Sequence, residues 1–586
     1  MSWDVVVWGG GTGGAAAAVQ AARKGARTLL LTPGPWLGGM LSAAGVCAPD
    51  GHELSCWQTG LWGQFIRTLA DESPEGLDHN WVSCFGFRPE QAEQLLQRWV
   101  MQLPSLEWRS GCELLDLQRR GDRIQSIHVG CQGSTQTIHG TQWIDGSDLG
   151  DLIAMADAPY RWGWEAQETW NEPSAPDRKR LDQDAFFTEQ PVQSPTWVVM
   201  GQLSGECPAQ SSQTPAPPFE RSLERFGLRT TLTYGRLPGG LVMLNWPLNG
   251  NDWHRGLQRS ISSDPVQREL LAGEMQRHSC SFLEELARLS CGGLSRGEAF
   301  PSDKPHLALM PYWREGRRLK GQVTVTERDL LPVGEGALRA SLSADSIAVG
   351  TYANDHHYPG EDWPLAPKSC RWGGRWTGTP FCIPYGALLS DSLCNLLAAE
   401  KCFSVSHMAN GATRLQPLIL NIGQAAGLAA ALASQLEIDP WDLHTEIIQR
   451  ELINDSVAPA AVMPLWDWPG WHPHWRDAQM QALMHPDEVD WQGHLEQPGR
   501  NGLKLPRADQ TPLESGAVEI CGRLQKTDDQ SYGLKTEQGS LSLITLEPGV
   551  ERKLGELPHK SFVRLIAVEN PWGGWWRILR ILDQPN

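Results

Sequence analysis

The sequence predicts an α/β chain on three observations: a strand-length apolar run at the start that ends in glycines and leads into an alanine-rich segment, a second such strand behind a helix-breaking glycine, and a series of short strands after residue 516. The first strand is Asp4-Val5-Val6-Val7-Trp8. It runs into Gly9-Gly10-Gly11-Thr12-Gly13-Gly14, where Gly9, Gly11 and Gly14 keep the G-x-G-x-x-G spacing, and then into Ala15-Ala16-Ala17-Ala18-Val19, which favours helix. Strand, tight turn and helix in that order form a Rossmann-like unit. Gly9 permits the turn, Gly11 lets backbone approach a pyrophosphate, and Gly14 lets the helix pack close to the strand. The helix N-terminus, with Thr12 and Gly13 in it, offers free N–H groups and partial positive charge to the phosphates. A dinucleotide is expected here.

The helix breaks at Gly25, and a second strand runs over Arg27-Thr28-Leu29-Leu30-Leu31. An acidic residue after that strand usually holds the ribose hydroxyls. This chain has Thr32, a weaker hydrogen-bond partner than a carboxylate. Leu37-Gly38-Gly39-Met40-Leu41 follows. At these residues the chain resembles the FAD-dependent oxidoreductases of the glutathione-reductase-like superfamily, in which a Leu-Gly-Gly turn wraps the cofactor. Within that superfamily it is most similar to the FAD-dependent oxidoreductase family distantly related to the fumarate reductase and succinate dehydrogenase flavoproteins. The resemblance implies a GR2-type FAD-binding domain, FAD as cofactor, and Gly38, Gly39 and Met40 beside it.

A chain of 586 residues is long enough for two or three domains. Its 28 tryptophans are expected in cores and pocket walls, since that much exposed indole invites aggregation. A net charge of -18 argues against nucleic acid or an anionic membrane as partner, and it means that an anionic substrate needs a local basic site. The start, Met1-Ser2-Trp3-Asp4, leads directly into the strand, so a cytoplasmic protein is expected. The 13 cysteines are scattered with no C-x-x-C, which predicts buried free thiols and no metal site. The apolar stretch Leu418 to Leu436 is interrupted by Asn421, Gly423, Gln424 and Gly427, which marks a core helix and not a membrane span.

Helical patterns fill residues 56–108, and a β meander follows over 113–144 with turns at Gly121-Asp122 and Gln132-Gly133. It ends in Asp145-Gly146-Ser147-Asp148-Leu149-Gly150-Asp151. This resembles the family motif in which a strand returns to the cofactor, and the resemblance implies cofactor contacts at Gly146 and Asp151. Relatives mostly carry alanine-threonine-glycine where this chain has Gly146-Ser147-Asp148, so the match is one of position and size. Residues 159–300, with proline-rich connectors at 173–176 and 208–218, read as an inserted α+β substrate domain. Within it the stretch from Tyr234 to Asp252 reads as turn, strand and polar loop. Asn245 is a candidate substrate contact; a buried Asn and Asp bracing a turn is the equal alternative.

Arg314-Glu315-Gly316-Arg317-Arg318, read as a strand, puts Arg314 and Arg318 on one face and Arg317 on the other. Guanidinium pairs suit a carboxylate, and relatives carry an Arg-Glu-x-Arg-Arg pattern here. Neutralisation by Glu315 with the remainder on a solvated face is the alternative. The strand from Asp345 ends in Asp355-His356-His357, where a general base fits, because histidine titrates near neutrality and the adjacent carboxylate can orient it. Adjacent histidines face opposite sides, so at most one is catalytic, and a structural histidine or a weak metal site are the alternatives. Further on, a buried strand over 395–402 leads through His407 and Arg414 to Asn421-Ile422-Gly423-Gln424-Ala425-Ala426-Gly427. In the superfamily an Arg-containing loop and a helix opening with Gly-Gln-Ala-Ala-Gly sit beside the isoalloxazine. The resemblance therefore implies cofactor contacts at Gly423, Gln424, Ala425 and Gly427, and substrate contacts at His407 and Arg414.

The resemblance covers roughly residues 1–435. The expected division is an FAD-binding domain at 1–158 and 301–439, the inserted domain at 159–300, a Trp- and Pro-rich wrapping segment at 440–515, and a small OB-like β-barrel at 516–586. The barrel carries nine basic and nine acidic residues, so it has no basic groove and is read as a docking, dimerisation or partner-binding module. The expected activity is oxidation of a small carboxylate- or amine-bearing substrate by hydride transfer to flavin, with oxygen or another electron acceptor. Arg314, Arg317 and Arg318 would anchor the substrate, and His356 or His357 would act as base. A flavin-dependent reductase, or a flavin-binding protein whose barrel recruits a partner, are the alternatives.

Overall fold

Val5, Val6 and Val7 have no exposed surface, and each such side chain contributes about 1.5 kcal/mol or more when buried. They lie in the central strand β1 (Trp3–Trp8) of a computed structural model that describes residues 2–80, 82–205, 213–360, 369–371, 379–496, 502–527, 531–570 and 574–582. The first part of the 208–218 connector lies outside the described residues. Helix α1 (Thr12–Arg23) follows the glycine turn, and β2 (Thr28–Thr32) returns parallel to β1 with Val5 opposite Thr28. Helices α2 (Gly60–Glu72) and α3 (Pro89–Met101) lead to β3 (Leu106–Ser110), which extends the parallel sheet beside β2.

The meander consists of β4 (Cys112–Arg120), β5 (Arg123–Cys131) and β6 (Ser134–Asp145). The far end of β6 pairs parallel with β1 and with Leu396–Ala398, so a strand far later in the chain closes the same sheet. The layer is therefore mixed α/β with a parallel core of Rossmann type, as the first 32 residues predict. The expectation of free thiols fails at Cys112 and Cys131. They stand opposite each other on the paired strands β4 and β5 and form a disulfide.

Helix Gln416–Leu436 packs against α1. A Cβ on Gly423 would lie 2.2 Å from the Gly13 carbonyl oxygen, and one on Gly427 would lie 2.1 Å from that of Ala17, so the two helix backbones touch at these glycines. By length and composition this helix alone among the described residues is apolar enough to cross a membrane, and 94% of its apolar window is buried in the protein. Residues 159–300 contribute the antiparallel sheet Leu294–Arg296, Val199–Leu203, Leu241–Leu244 and the long helix Pro265–Leu289. Trp62, Trp143, Trp246 and Trp468 are among the largest fully buried side chains, and Trp471 and Trp491 are exposed.

The last strands, Val518–Thr527, Ser531–Lys535, Ser540–Thr545, Phe562–Asn570 and Trp575–Leu582, form a closed barrel in which the third and fifth pair in parallel. A helix, Pro548–Glu556, sits between the third and fourth. The barrel is fastened to the loop between α2 and α3: Asn570 Nδ2 donates to Asp78 Oδ1 at 2.5 Å and to the Asn80 carbonyl at 3.0 Å.

Candidate active site

The glycine turn has the geometry its spacing calls for. Gly9 has φ +97°, a conformation that disfavours a side chain, and a Cβ there would lie 2.5 Å from the Ser147 nitrogen. A Cβ on Gly14 would lie 2.1 Å from the Gly9 carbonyl oxygen, so strand and helix approach as closely as backbone allows. Gly146 accepts the Gly11 N–H at 3.1 Å and donates to Trp8 O at 2.7 Å. The second glycine pair locks onto this turn: Gly38 donates to Gly10 O at 2.8 Å, and the Thr12 hydroxyl donates to Gly38 O at 2.7 Å. Met40 lies buried in the short turn Gly39–Leu41. The first turn of α1 already holds an anion, because Glu400 Oε2 accepts the Gly13 N–H at 2.8 Å. This stand-in carboxylate and the cramped glycine cradle fit the phosphates of a dinucleotide, which Gly11, Thr12 and Gly13 would hold. Thr32 is already engaged; its hydroxyl donates to Gly34 O at 2.9 Å and accepts the Trp108 indole N–H at 3.0 Å.

Two expectations from the sequence need correction, on where the helix carrying Gly423 opens and on the shared face of Arg314 and Arg318. The helix expected to open at Asn421 begins at Gln416, so Gly423, Gln424, Ala425 and Gly427 lie inside it. Gly423 and Gly427 serve the contact with α1, while Gln424 accepts the Leu61 N–H at 2.9 Å and donates to Ala458 O at 2.8 Å. The helix start itself, with Leu415 and Gln416, lines a cavity. Arg314 and Arg318 do not share a strand face, because only Arg318–Leu319 is strand. Arg318 is buried against Glu165 at 2.9 Å and Glu315 at 3.0 Å, which engage its guanidinium. Arg317 donates to Leu149 O at 2.9 Å and Ile261 O at 3.1 Å and lies 3.6 Å from Asp151, so it holds two loops together. His407 is held from both sides, by Glu315 at 2.9 Å and the Tyr358 hydroxyl at 2.5 Å.

Arg314, Asn245, His357 and Arg414 converge on one cavity of about 170 Å³. Its apolar wall includes Val46, Ala48, Pro49 and Val82, and Asp50, Tyr312, Tyr352, Asp355 and Gln416 are among its other lining residues. Arg314, buried, donates to Ser194 O, to Thr196 Oγ1 at 2.9 Å and to Asn245 Oδ1 at 2.9 Å; burial lowers its pKa. The two readings of the 245–252 loop divide between residues: Asn245 reaches into the site, whereas Asn251 braces the turn by accepting Trp246 N at 2.7 Å. Arg414 donates to the Tyr312 hydroxyl at 2.5 Å and to Asp355 Oδ2 at 3.1 Å. Burial works against the Arg414 cation, but Tyr312 and Asp355 outweigh it and raise its pKa. The Nε atoms of both arginines are buried without a hydrogen-bond partner among the described residues.

His357 Nε2 lies 2.9 Å from Asp355 Oδ2, which fixes the ring and leaves Nδ1, without a partner among the described residues, as the lone-pair nitrogen. Burial first, and the Arg314 cation second, lower its pKa to about 4, so the ring is neutral at pH 7. His356 points away from this cavity, stacked on Tyr358 at 6.1 Å, with burial and His407 lowering its pKa to about 3. Tyr312, Asp50, Tyr352 and Glu400 were not anticipated. Tyr312 stands two residues before the arginine motif, and Glu400 two residues after the strand Leu396–Ala398.

A triple mutant of the flavin-dependent brominase Bmp2 matches this chain at 10% identity over 83% of it and 89% of the brominase, with a TM-score of 0.32. The p-nitrophenol 4-monooxygenase PnpA from Pseudomonas putida DLL-E4 matches at 12% identity over 55% of this chain and 70% of its own, with a TM-score of 0.29. The myxobacterial FAD-dependent halogenase CndH matches at 11% identity over 53% of this chain, which spans 63% of the halogenase, with a TM-score of 0.26. No curated protein matches the chain. The family model for FAD dependent oxidoreductases matches residues 4–452 of the 586. The chain thus belongs to the FAD dependent oxidoreductase family and is an FAD-dependent enzyme.

Proposed function

We propose that the protein oxidises a small substrate bearing a carboxylate, with Arg314 and Arg414 binding the carboxylate and His357 taking the proton. The observation that carries this reading is the convergence on one cavity of two buried guanidinium groups and a neutral histidine, whose Nε donors and Nδ1 have no partner among the described residues. Two such cations in an otherwise acidic chain call for an anion of matching size. Bound flavin supplies the two-electron acceptor.

The chain's own groups then divide the work. A carboxylate between the arginines cancels the positive charge that depresses His357, so substrate binding itself raises the basicity of the ring. Nδ1 accepts the proton, and Asp355 stabilises the resulting imidazolium through Nε2. Asn245, Ser194 and Thr196 hold the Arg314 fork in place. The apolar wall from Val46 to Pro49 keeps water from the anion.

Residues 159–300 supply these three braces, which supports their reading as an inserted substrate-side domain. The parallel pairing of the third and fifth barrel strands, and the helix before the fourth, support an OB-like reading of residues 516–586. The interlocked Gly38-Gly39 turn supports a GR2-type cofactor site.

The test is anaerobic bleaching of the flavin absorbance by a panel of small hydroxy and amino acids and the matching amides. Bleaching by acids, lost in His357→Asn with binding retained, is expected. Bleaching by the amides at equal rate would refute the assignment of the arginines.

A further inference from the structure

Glu400 brings its carboxylate to the start of α1. Its Oε2 accepts the Gly13 N–H at 2.8 Å, and a Cβ on Gly11 would lie 2.6 Å from that oxygen. Its Oε1 accepts from Lys401 Nζ at 3.0 Å, and Lys401 also donates to Asp148. Glu400 and Lys401 have no exposed surface. The first-turn amides behind a glycine-rich turn are the groups that bind pyrophosphate in dinucleotide folds. Here an internal anion holds one of them.

We propose that Glu400 is a built-in competitor for the FAD pyrophosphate and thereby sets the affinity for the cofactor. One N–H cannot serve two anions, and in a buried site a carboxylate beside a pyrophosphate is opposed by like charge. Burial and Asp148 already push the Glu400 pKa above the usual carboxylate range, against the pull of Lys401. The carboxylate has to leave Gly13 or take up a proton for the phosphate to seat. With Lys401 between two carboxylates the cluster carries one net negative charge, which falls to zero when Glu400 takes up a proton and so no longer repels the phosphate.

Titration of FAD by flavin fluorescence and absorbance, on wild type, Glu400→Gln and Glu400→Ala with the fold checked by circular dichroism, decides the matter. Both variants are expected to bind FAD at least tenfold more tightly than wild type. ADP, which carries the phosphates without flavin, should show the same gain, and riboflavin, which lacks them, should show none. Equal or weaker FAD binding in the isosteric Glu400→Gln would overturn the proposal, as would an equal gain for riboflavin. If none of the three proteins binds FAD, the proposal fails together with FAD as the cofactor; if all three bind it equally, or only wild type binds it, the proposal alone fails.

Discussion

Replacing Lys401 by Met removes the cation that bridges Asp148 and Glu400 at the join of the sheet and α1. The ammonium lies 3.0 Å from Glu400 Oε1 and also bonds Asp148 Oδ1, and it has no exposed surface. Removing one partner of a buried ionic cluster costs about 3–5 kcal/mol, because the remaining charge stays desolvated. Glu400 keeps its bond from the Gly13 N–H, which favours the lower half of that range. The Glu400 pKa is already raised, and loss of Lys401 removes a group that holds it down. An acid whose folded pKa lies above its unfolded value binds its proton more tightly when folded, so it loses stability as pH rises through that interval. The deficit of Lys401→Met is therefore expected to be full at pH 7 and to shrink toward pH 5. Urea unfolding followed by tryptophan fluorescence measures it, and the double variant Lys401→Met/Glu400→Gln should recover about half of the loss. A deficit under about 1 kcal/mol, or one that grows on acidification, would refute the reasoning.

Three further outcomes are expected. Gly427→Val drives a side chain into the Ala17 carbonyl and should cost about 3 kcal/mol or more, read as lost soluble protein or a lowered melting temperature; wild-type melting would contradict the helix crossing. Arg577→Ala removes a fork bonded to Glu514 at 2.8 and 2.7 Å and lying 3.6 Å from Asp78, and about 1–3 kcal/mol of barrel docking should go with it, exposing the chain before residue 518 to limited proteolysis. Cys112→Ser/Cys131→Ser opens a loop with a sequence separation of 19 and should lower stability by about 3 kcal/mol; peptide mapping without reductant that finds both thiols free would remove the cross-link from the account.

The parts of the fold that could be read from sequence are those set by neighbours in the chain. Gly9, Gly11 and Gly14 announce the turn because backbone φ and close approach admit no side chain there. The meander and barrel strands show through alternation and turn residues. What stayed hidden depends on distant pairs. Glu400 meets Gly13 across 387 positions, and no local pattern marks a carboxylate that turns toward a helix start. The arginine motif misled for the same reason: the strand period assigns faces, but Glu165 and Glu315 determine where Arg318 goes, and only Arg314 reaches the cavity. Gly423 and Gly427 were matched to the right helix but placed at its start, although the small residues serve the crossing with α1. At His356-His357 the alternation of an extended chain correctly allowed only one ring into the cavity, and the packing of Tyr358 against the other decided which.

The most direct test of the anionic pocket is a titration of the FAD-loaded protein with a small aliphatic carboxylate, read as a shift of the flavin absorbance bands. Wild type should give a saturable shift that weakens at least tenfold in Arg314→Met and in Arg414→Met and is absent with the neutral amide of the same acid. A shift of equal affinity in both variants, or with the amide, would contradict the central claim that this cavity is built to hold a carboxylate.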